Sequence, residues 1–530
     1  MTVLRILVAD DLSEEGLEIL RRDAEVEVRN GMSEDELRDT LPGFHALIVR
    51  SATTVTGPSL ENADVLSVIG RAGIGVDNID VEAASVRGIV VMNTPEAGAV
   101  TTGELAIALM MSLARNIPAA DASMKAGRWE KNKLLGTELR GQTLGVLGLG
   151  RIGRVVADRG RGLKMKVIAH DPFVDADRAP EGVRMVTFDE LLRDSDFLSV
   201  HVPLTDETRG LIGPDELAKM KSSARIMNGA RGGIVNEEAL CDALEAGDIA
   251  GAALDVFDRE PLPDDNRLRL TKNLVLTPHL GASTREAKRN VSLDMARQVI
   301  TCLKKGVALN GINVPRVPPS QADRVAPFLT LARNLASFLM QVYPGRLRSL
   351  RLTLQGKLLL SAKEPLRVAM LAGALGCRAD RPVTPVNADR VAEEMGVRHH
   401  VETSTLKRDF VNLLRIETLL DDERHFVSGT VLGHRHGRMV ELDHFLMDAI
   451  PEGPLLVTFH HDEPGVIGRI ASLVGSEGLN ISRLQLGVPD NGHTSAGALG
   501  LLNLSSPIPP EAIEKVLADP GIIAAHSVRL

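Results

Sequence analysis

Aromatic side chains are scarce: eleven Phe, one Trp and one Tyr among 530 residues make up 2% of the chain. Its cores must therefore be packed mainly with Leu, Ile, Val and Ala. Cysteine is scarcer still. Cys241, Cys302 and Cys377 stand far apart, which excludes a disulfide framework and a Cys-x-x-Cys metal site. Positive charge is not in excess either, since the net charge of −9 argues against a general affinity for phosphate backbones. No apolar run approaches the length of a bilayer span. The opening MTVLRILVAD enters a strand pattern at once, with no basic leader, long apolar segment or cleavage site. These absences lead us to expect a cytoplasmic protein with no metal site.

What is present is an ordinary globular balance, 44% hydrophobic and 25% charged, in a chain long enough for about three or four domains. The first hundred residues alternate strand and helix patterns: RILVAD, SEEGLEILRR, EVEVRN, SEDELRDTL, HALIVRS, VLSVIGRAG, VEAASVRG and IVVMNTP. A helical stretch over 101–127 leads to a second alternating block: TLGVLGLGRIG, KVIAHD, FLSVHVP, ARIMNGA, IAGAALDVF and NLVLTPHL. Such alternation predicts an α/β protein with two doubly wound, Rossmann-like parallel sheets. After residue 313 the proline-rich INVPRVPPSQADRVAP suits a boundary. From there to about 452 the pattern is mixed, and we expect an α+β domain. The last stretch reads more plainly. LLVTFHH, a helix from Gly465 to Gly475, ISRLQLGV, GALGLLNL, a helix from Pro510 to Ala518, and IIAAHSVRL give a ferredoxin-like βαββαβ order.

VLGLGRIG sets Gly148, Gly150 and Gly153 in GxGxxG spacing between a strand and a helix. Glycines there permit a tight turn, close approach to a pyrophosphate and close helix-to-strand packing. The helix start offers unpaired N–H groups to the anion. The motif alone is common, but here a second strand, KVIAHD, ends in Asp171, eighteen positions after Gly153. A carboxylate there binds the adenosine ribose and repels a 2′-phosphate, so the expected cofactor is NAD rather than NADP.

Three later strand patterns end in chemically useful residues. ARIMNGA runs to Arg231, IAGAALDVF carries Asp255 and leads to Glu260 before Pro261, and NLVLTP ends at His279. The run from Asn273 to Thr277 reads as a buried strand. In an open parallel sheet the carboxyl ends of strands line the crevice where ligands bind. Oxidising a 2-hydroxy acid needs a base for the hydroxyl proton, a carboxylate to orient that base, and a guanidinium to hold the substrate carboxylate. Imidazole, which changes charge near neutral pH, suits the first task. Each residue alone has an ordinary structural role open to it; together, beside a dinucleotide fold, they favour catalysis.

VLGLGRIG, NGARGGIVNE, GAALDVFDREP and TPHLGAST resemble the signatures of the D-isomer-specific 2-hydroxyacid dehydrogenases. VRSATTVT and GRAGIGVDNID match that family's ligand loops, and the similarity extends over nearly the whole chain to the long, phosphoglycerate-oxidising form. The resemblance implies Arg231, Glu260 and His279 as the catalytic set. It implies NAD contacts at Gly148, Gly150, Arg151, Ile152, Gly153, Asp171, Gly229, Ala230, Arg231, Asp255, His279, Leu280, Gly281 and Ala282. Substrate contacts are implied at Arg50, Ser51, the backbone around Gly75, Arg231 and His279; for Lys131 two readings stay open, a contact to the 3-phosphate from a neighbouring subunit and an exposed cation on a mobile segment. Four domains follow: 1–96 with 283–313 for substrate, 97–282 for NAD, an intervening domain at 314–452 and an ACT domain at 453–530.

The ACT resemblance rests on HHDEPGVIGRIASLVGSEGLNI and implies an L-serine effector at His460, Asp462 and Asn480, with a helix cap as the other reading of Asp462. The family further implies oxidation of 3-phosphoglycerate at the first step of serine synthesis by a homo-oligomer, tetramer favoured. Ile74 and Val202 stand where relatives often carry Thr, and Asn236 stands for a frequent Asp. Two features remain open. Residues 346–381 hold eight Lys/Arg against two Asp/Glu, an anion site or a solvated face. Ten of fourteen histidines lie from His399 onward, including HH at 399–400 and HRH at 434–436, without ligand spacing that makes a zinc site compelling.

Overall fold

The computed structural model describes residues 3–404, 410–433, 435–489 and 497–530. They divide into two compact units, one of 1–11, 17–93 and 295–530, the other of 12–16 and 94–294. The first unit opens with β1 (Arg5–Val8), β2 (Glu25–Val28), β3 (Ala46–Val49), β4 (Val68–Arg71) and β5 (Val90–Asn93). They form a parallel sheet in the order β2-β1-β3-β4-β5. The SEDELRDTL pattern is the helix Glu34–Thr40, whose start is closed by a reciprocal capping box between Ser33 and Glu36. Every residue of β3 is buried, as a strand covered on both faces must be.

The second unit holds β6 (Thr143–Leu147), β7 (Lys166–His170), β8 (Val183–Met185), β9 (Phe197–Val200), β10 (Arg225–Asn228), β11 (Gly251–Leu254) and β12 (Leu274–Leu276). All are parallel, in the order β12-β11-β10-β9-β6-β7-β8. Successive side chains serve opposite faces. Leu198, Ile226 and Leu254 enter one core cluster, while Phe197, Met227 and Ala253 enter another. Each such fully buried large side chain contributes about 1.5–3 kcal/mol. Two details differ from the sequence reading. β8 is an additional edge strand, too short to declare itself. β12 is not a buried strand but the opposite edge, half-buried throughout, because only β11 pairs with it.

The remainder of the first unit is a ten-stranded sheet: β13 (Leu347–Gln355), β14 (Arg398–Thr403), β15 (Leu413–Leu420), β16 (Glu423–Leu432), β17 (His436–Leu442), β18 (Phe445–Ala449), β19 (Pro454–His460), β20 (Ile481–Pro489), β21 (Ala498–Leu504) and β22 (Ile522–Arg529). Its order is β14-β13-β15-β16-β17-β18-β20-β21-β19-β22. The last four strands keep the expected βαββαβ arrangement, and the antiparallel β18–β20 pair carries one sheet through both regions. Behind it runs the helix Ala322–Val342. Residues 319–342 have the length and hydropathy to cross a bilayer, contrary to the sequence expectation, but 67% of that apolar window is buried inside the protein. Phe328, Leu335, Phe338 and Leu339 sit in the core there, so this is a core helix.

The cationic run at 346–381 meets acids: Arg351 faces Glu402 and Glu417, Arg367 pairs with Glu364 on its own helix and with Asp389, and Arg381 pairs with Glu394. That favours the solvated face over the anion site. His434, from the HRH stretch, lies outside the described residues.

Candidate active site

β6 ends at Leu147 and the chain turns through Gly148 at φ 91°, a left-handed value that a β-carbon would strain. A β-carbon there would also lie 2.7 Å from the His201 carbonyl oxygen. Gly153 is tighter, its β-carbon position being 2.0 Å from the Gly148 oxygen, so the helix Arg151–Gly162 is drawn onto the loop. Gly150, the N-cap, has no side-chain cap, and a β-carbon on it would meet nothing within 4 Å. An open space over uncapped N–H groups fits a pyrophosphate. Ile152 packs against the core beside it, and the Arg151 guanidinium is 3.8 Å from Glu96. Asp171 follows β7 directly. Its Oδ2 accepts from the Leu149 N–H at 2.8 Å and its Oδ1 from the Phe173 N–H at 2.9 Å. Arg154, which the sequence reading passed over, donates Nε to the Leu149 carbonyl at 3.1 Å, so Leu149 is held from both sides.

The next three strand ends belong to neighbours, β10, β11 and β12. After β10, Asn228 shapes the Gly229–Ala230–Arg231 turn by accepting from the Ala230 N–H at 3.0 Å and donating to the Arg231 carbonyl at 2.8 Å. The Arg231 guanidinium donates to the Ala230 carbonyl at 2.7 Å. After β11, Asp255 is fully buried, and its carboxylate accepts from Thr277 Oγ1 (2.6 Å), the Leu280 N–H (2.7 Å) and the Gly281 N–H (2.9 Å). It therefore holds the loop after β12. Gly281 is buried in that loop and Ala282 half-buried.

On this loop His279 adopts φ 54°, and its Nδ1 lies 2.7 Å from Glu260 Oε2. The other Glu260 oxygen accepts from the Phe257 N–H at 3.0 Å, which fixes the carboxylate. With Nδ1–H donating to Glu260, Nε2 carries the lone pair, and among the described residues it has no hydrogen-bond partner. The pair is open to solvent, at 50% and 37% side-chain exposure. A second histidine, His201 after β9, is its opposite. Burial pushes its imidazole down to about 4, Ser199 Oγ lies 2.7 Å from Nε2, and Nδ1 is buried without a partner. It stays neutral and structural.

Residues 107–281 match the family described as D-isomer specific 2-hydroxyacid dehydrogenase, NAD binding domain, and residues 324–443 match the D-3-phosphoglycerate dehydrogenase intervening domain. The D-3-phosphoglycerate dehydrogenase of Archaeoglobus fulgidus is 41% identical over 530 residues, covering 99% of this chain and 100% of that one. That of Bacillus subtilis is 36% identical with both chains covered in full. The solved structure of the TT0316 protein from Thermus thermophilus superposes with a TM-score of 0.55 at 35% identity, over 58% of this chain and all of that one. The chain belongs to the D-3-phosphoglycerate dehydrogenase family. Its cofactor is NAD, and the glycine loop and Asp171 lie within the matched NAD-binding domain.

The other residues expected from this family fall as follows. Arg50 and Ser51 follow β3 and Gly75 lies beyond β4, its neighbour in the first sheet. Buried Asp10 accepts from the Arg50 and Thr53 N–H groups, and the Asn78 amide donates to both carbonyls at 2.6 Å. Lys131 is exposed on the short turn Lys131–Lys133, beside Glu130, whose carboxyl hydrogen bonds from Lys133, Ser123 and Arg128 hold at about 2. No described contact joins Lys131 to the strand ends. Asn236 caps the helix Glu237–Ala246, accepting from the Ala239 N–H, so the departure from Asp keeps the cap. Val202 lies against Gly148. Among the effector positions, His460 is buried with Nε2 unpartnered, while Asp462 and Asn480 are exposed. The helix start there is capped by Gly465, not by Asp462.

Proposed function

We propose that this protein oxidises D-3-phosphoglycerate at C2 to 3-phosphohydroxypyruvate with NAD, the opening step of the phosphorylated route to L-serine. The Glu260–His279 pair, at 2.7 Å, carries the reading. NAD, when bound, accepts the hydride from C2. His279 Nε2 takes the proton of the C2 hydroxyl as that bond becomes a carbonyl, and Glu260 stabilises the imidazolium through Nδ1. Arg231 pairs with the substrate carboxylate and polarises the C2 oxygen. Asp255 keeps the His279 loop in register through its bonds to Leu280 and Gly281. Arg50, Ser51 and the Gly75 backbone contact the substrate, and Lys131, from a neighbouring subunit, meets the phosphate.

We assign L-serine to His460, Asp462 and Asn480, a homotetramer as the assembly and the cytoplasm as its place. The deciding experiment follows NADH formation with 3-phosphoglycerate, glycerate and lactate, each with and without L-serine. Preference for the phosphorylated substrate supports the reading; equal or greater turnover of glycerate or lactate refutes it. Loss of rate in L-serine, abolished in Asn480→Ala, supports the effector assignment, and no response to L-serine removes it.

A further inference from the structure

The loop that carries His279 is gripped by two side chains. Asp255 takes the Leu280 and Gly281 N–H groups, and the Thr102 hydroxyl donates to the Gly281 carbonyl at 3.1 Å. A β-carbon on Gly281 would lie 3.4 Å from Thr102 Oγ1 and 3.5 Å from Asp255 Oδ2, so the glycine sits where both groups close on it. Thr102 is buried in the first turn of the helix Ala99–Ala114. That helix is a firm support. Ala106, Leu109, Met110 and Leu113 share a core with Met227 of β10 and Ala253 of β11, and a β-carbon on Gly103 would lie 2.7 Å from Val155 Cγ1. The hydroxyl also lies 3.0 Å from the Gly98 carbonyl, but that oxygen already accepts the Thr102 N–H at 3.0 Å. The Gly281 carbonyl has no other donor among the described residues, so the single hydroxyl proton serves it.

The two grips act on different peptides. Asp255 fixes those that end at Leu280 and Gly281, while the peptide from Gly281 to Ala282 depends on Thr102. Glycine lacks the β-carbon that would resist a turn of that peptide, so Gly281 is the pivot about which the loop can swing. We propose that Thr102 is a positioning residue for the oxidation: by holding the Gly281 carbonyl it keeps His279 aimed at the C2 hydroxyl while Nδ1 stays on Glu260. This rests on the assignment of His279 as the base. Misplacing a reacting group by about 1 Å costs about a hundredfold in rate. Asp255 keeps its own bonds when Thr102 is lost, so the expected loss is smaller, about tenfold.

Stopped-flow NADH formation by the full-length protein, with 3-phosphoglycerate and its 2-deuterated form, tests this in wild type, Thr102→Val, Thr102→Ala and Thr102→Ser. Thr102→Val should slow the first turnover about tenfold, with a primary isotope effect on that step, while the NAD Kd and the KM for 3-phosphoglycerate stay within about twofold. Thr102→Ala, which sets no methyl group against the two carbonyls, should behave alike and decides the matter if Thr102→Val does not fold. Thr102→Ser keeps the hydroxyl and should restore the rate to within about twofold of wild type. A first turnover at the wild-type rate without the hydroxyl overturns the proposal even if the melting temperature falls, since that marks a purely structural bond. So does a Thr102→Ser as slow as Thr102→Ala, an absent isotope effect in the slowed variants, or an NAD Kd that rises in step with the lost rate. A wild-type protein that oxidises no 3-phosphoglycerate would instead overturn the proposed function itself.

Discussion

Replacing His279 by Asn removes the base and little else. The loop that carries it is held by Asp255 through Thr277 Oγ1, Leu280 and Gly281, none of which depends on the imidazole. The backbone at 279 is left-handed, at φ 54°, and Asn tolerates that region better than Ala or any branched residue. At 50% side-chain exposure the ring closes no core, so its loss should change stability by only about 0.5 kcal/mol. What disappears is the acceptor for the hydroxyl proton. General-base removal costs about two to four orders of magnitude, a barrier increase of roughly 3–5 kcal/mol. The assay is kcat with 3-phosphoglycerate alongside the NAD Kd by titration. We expect kcat to fall at least a hundredfold with the Kd within about twofold of wild type. Turnover within fivefold of wild type would refute the base assignment. A parallel collapse of NAD affinity would show that the ring supports the loop after all.

Glu260→Gln should lower kcat about tenfold, less than loss of the base, because the pair is partly open to water and its attraction is screened; an NADH-formation assay without that drop removes Glu260 from the mechanism. Asp171→Asn keeps an acceptor for the Leu149 N–H but loses the charge that repels a 2′-phosphate, so the ratio of kcat/KM for NAD over NADP should fall about tenfold or more, and an unchanged ratio counts against the ribose role. His201, ordinarily titrating near 6.5 but held at about 4, takes up a proton in the unfolded chain before the folded one. Stability should therefore fall as pH drops from about 6.5 towards 4, by roughly 3 kcal/mol, and His201→Gln should flatten that acid limb in thermal melts; identical limbs would refute it. Asp255→Ala strands the Leu280 and Gly281 N–H groups and should lower unfolding free energy by about 2–4 kcal/mol in urea titrations, with a loss under 1 kcal/mol arguing against its loop-holding role.

The parallel sheets were legible because their signals are local: strand runs of β-branched residues, capped helices and glycine spacing declare themselves within a few residues. Glu260 and His279 were legible as strand-end residues, and their approach to 2.7 Å follows from β11 and β12 being neighbours. Less was visible where tertiary partners decide the outcome. Nothing in FLSVHVP distinguishes His201, its ring buried and neutral, from His279, because burial is decided by tertiary packing. Asn228 did carry a signal, a turn former followed by glycine after a strand, that would have marked it as the template of the Arg231 turn. In the middle region β13 alternates buried Leu350, Leu352 and Leu354 with arginine and threonine, a period of two that the density of positive charge obscures. The buried helix Ala322–Val342 contains Pro327, which interrupts an otherwise clear helical pattern.

Asp255 and Glu260 are close in sequence and divide one task between them. A carboxylate that fixes backbone geometry works best dry and fully bonded, and Asp255 is both: no exposed surface, three donors, and a cost of several kcal/mol if a partner is withdrawn. A carboxylate that answers a charge appearing and vanishing on an imidazole in each turnover cannot be built that way, since every proton transfer would alter the balance that holds the loop. Glu260 is placed where that fluctuation is tolerable. One oxygen is steadied by the Phe257 N–H, the other meets Nδ1, and water reaches the pair. Separating the scaffold acid from the acid that follows the proton lets His279 change charge without moving.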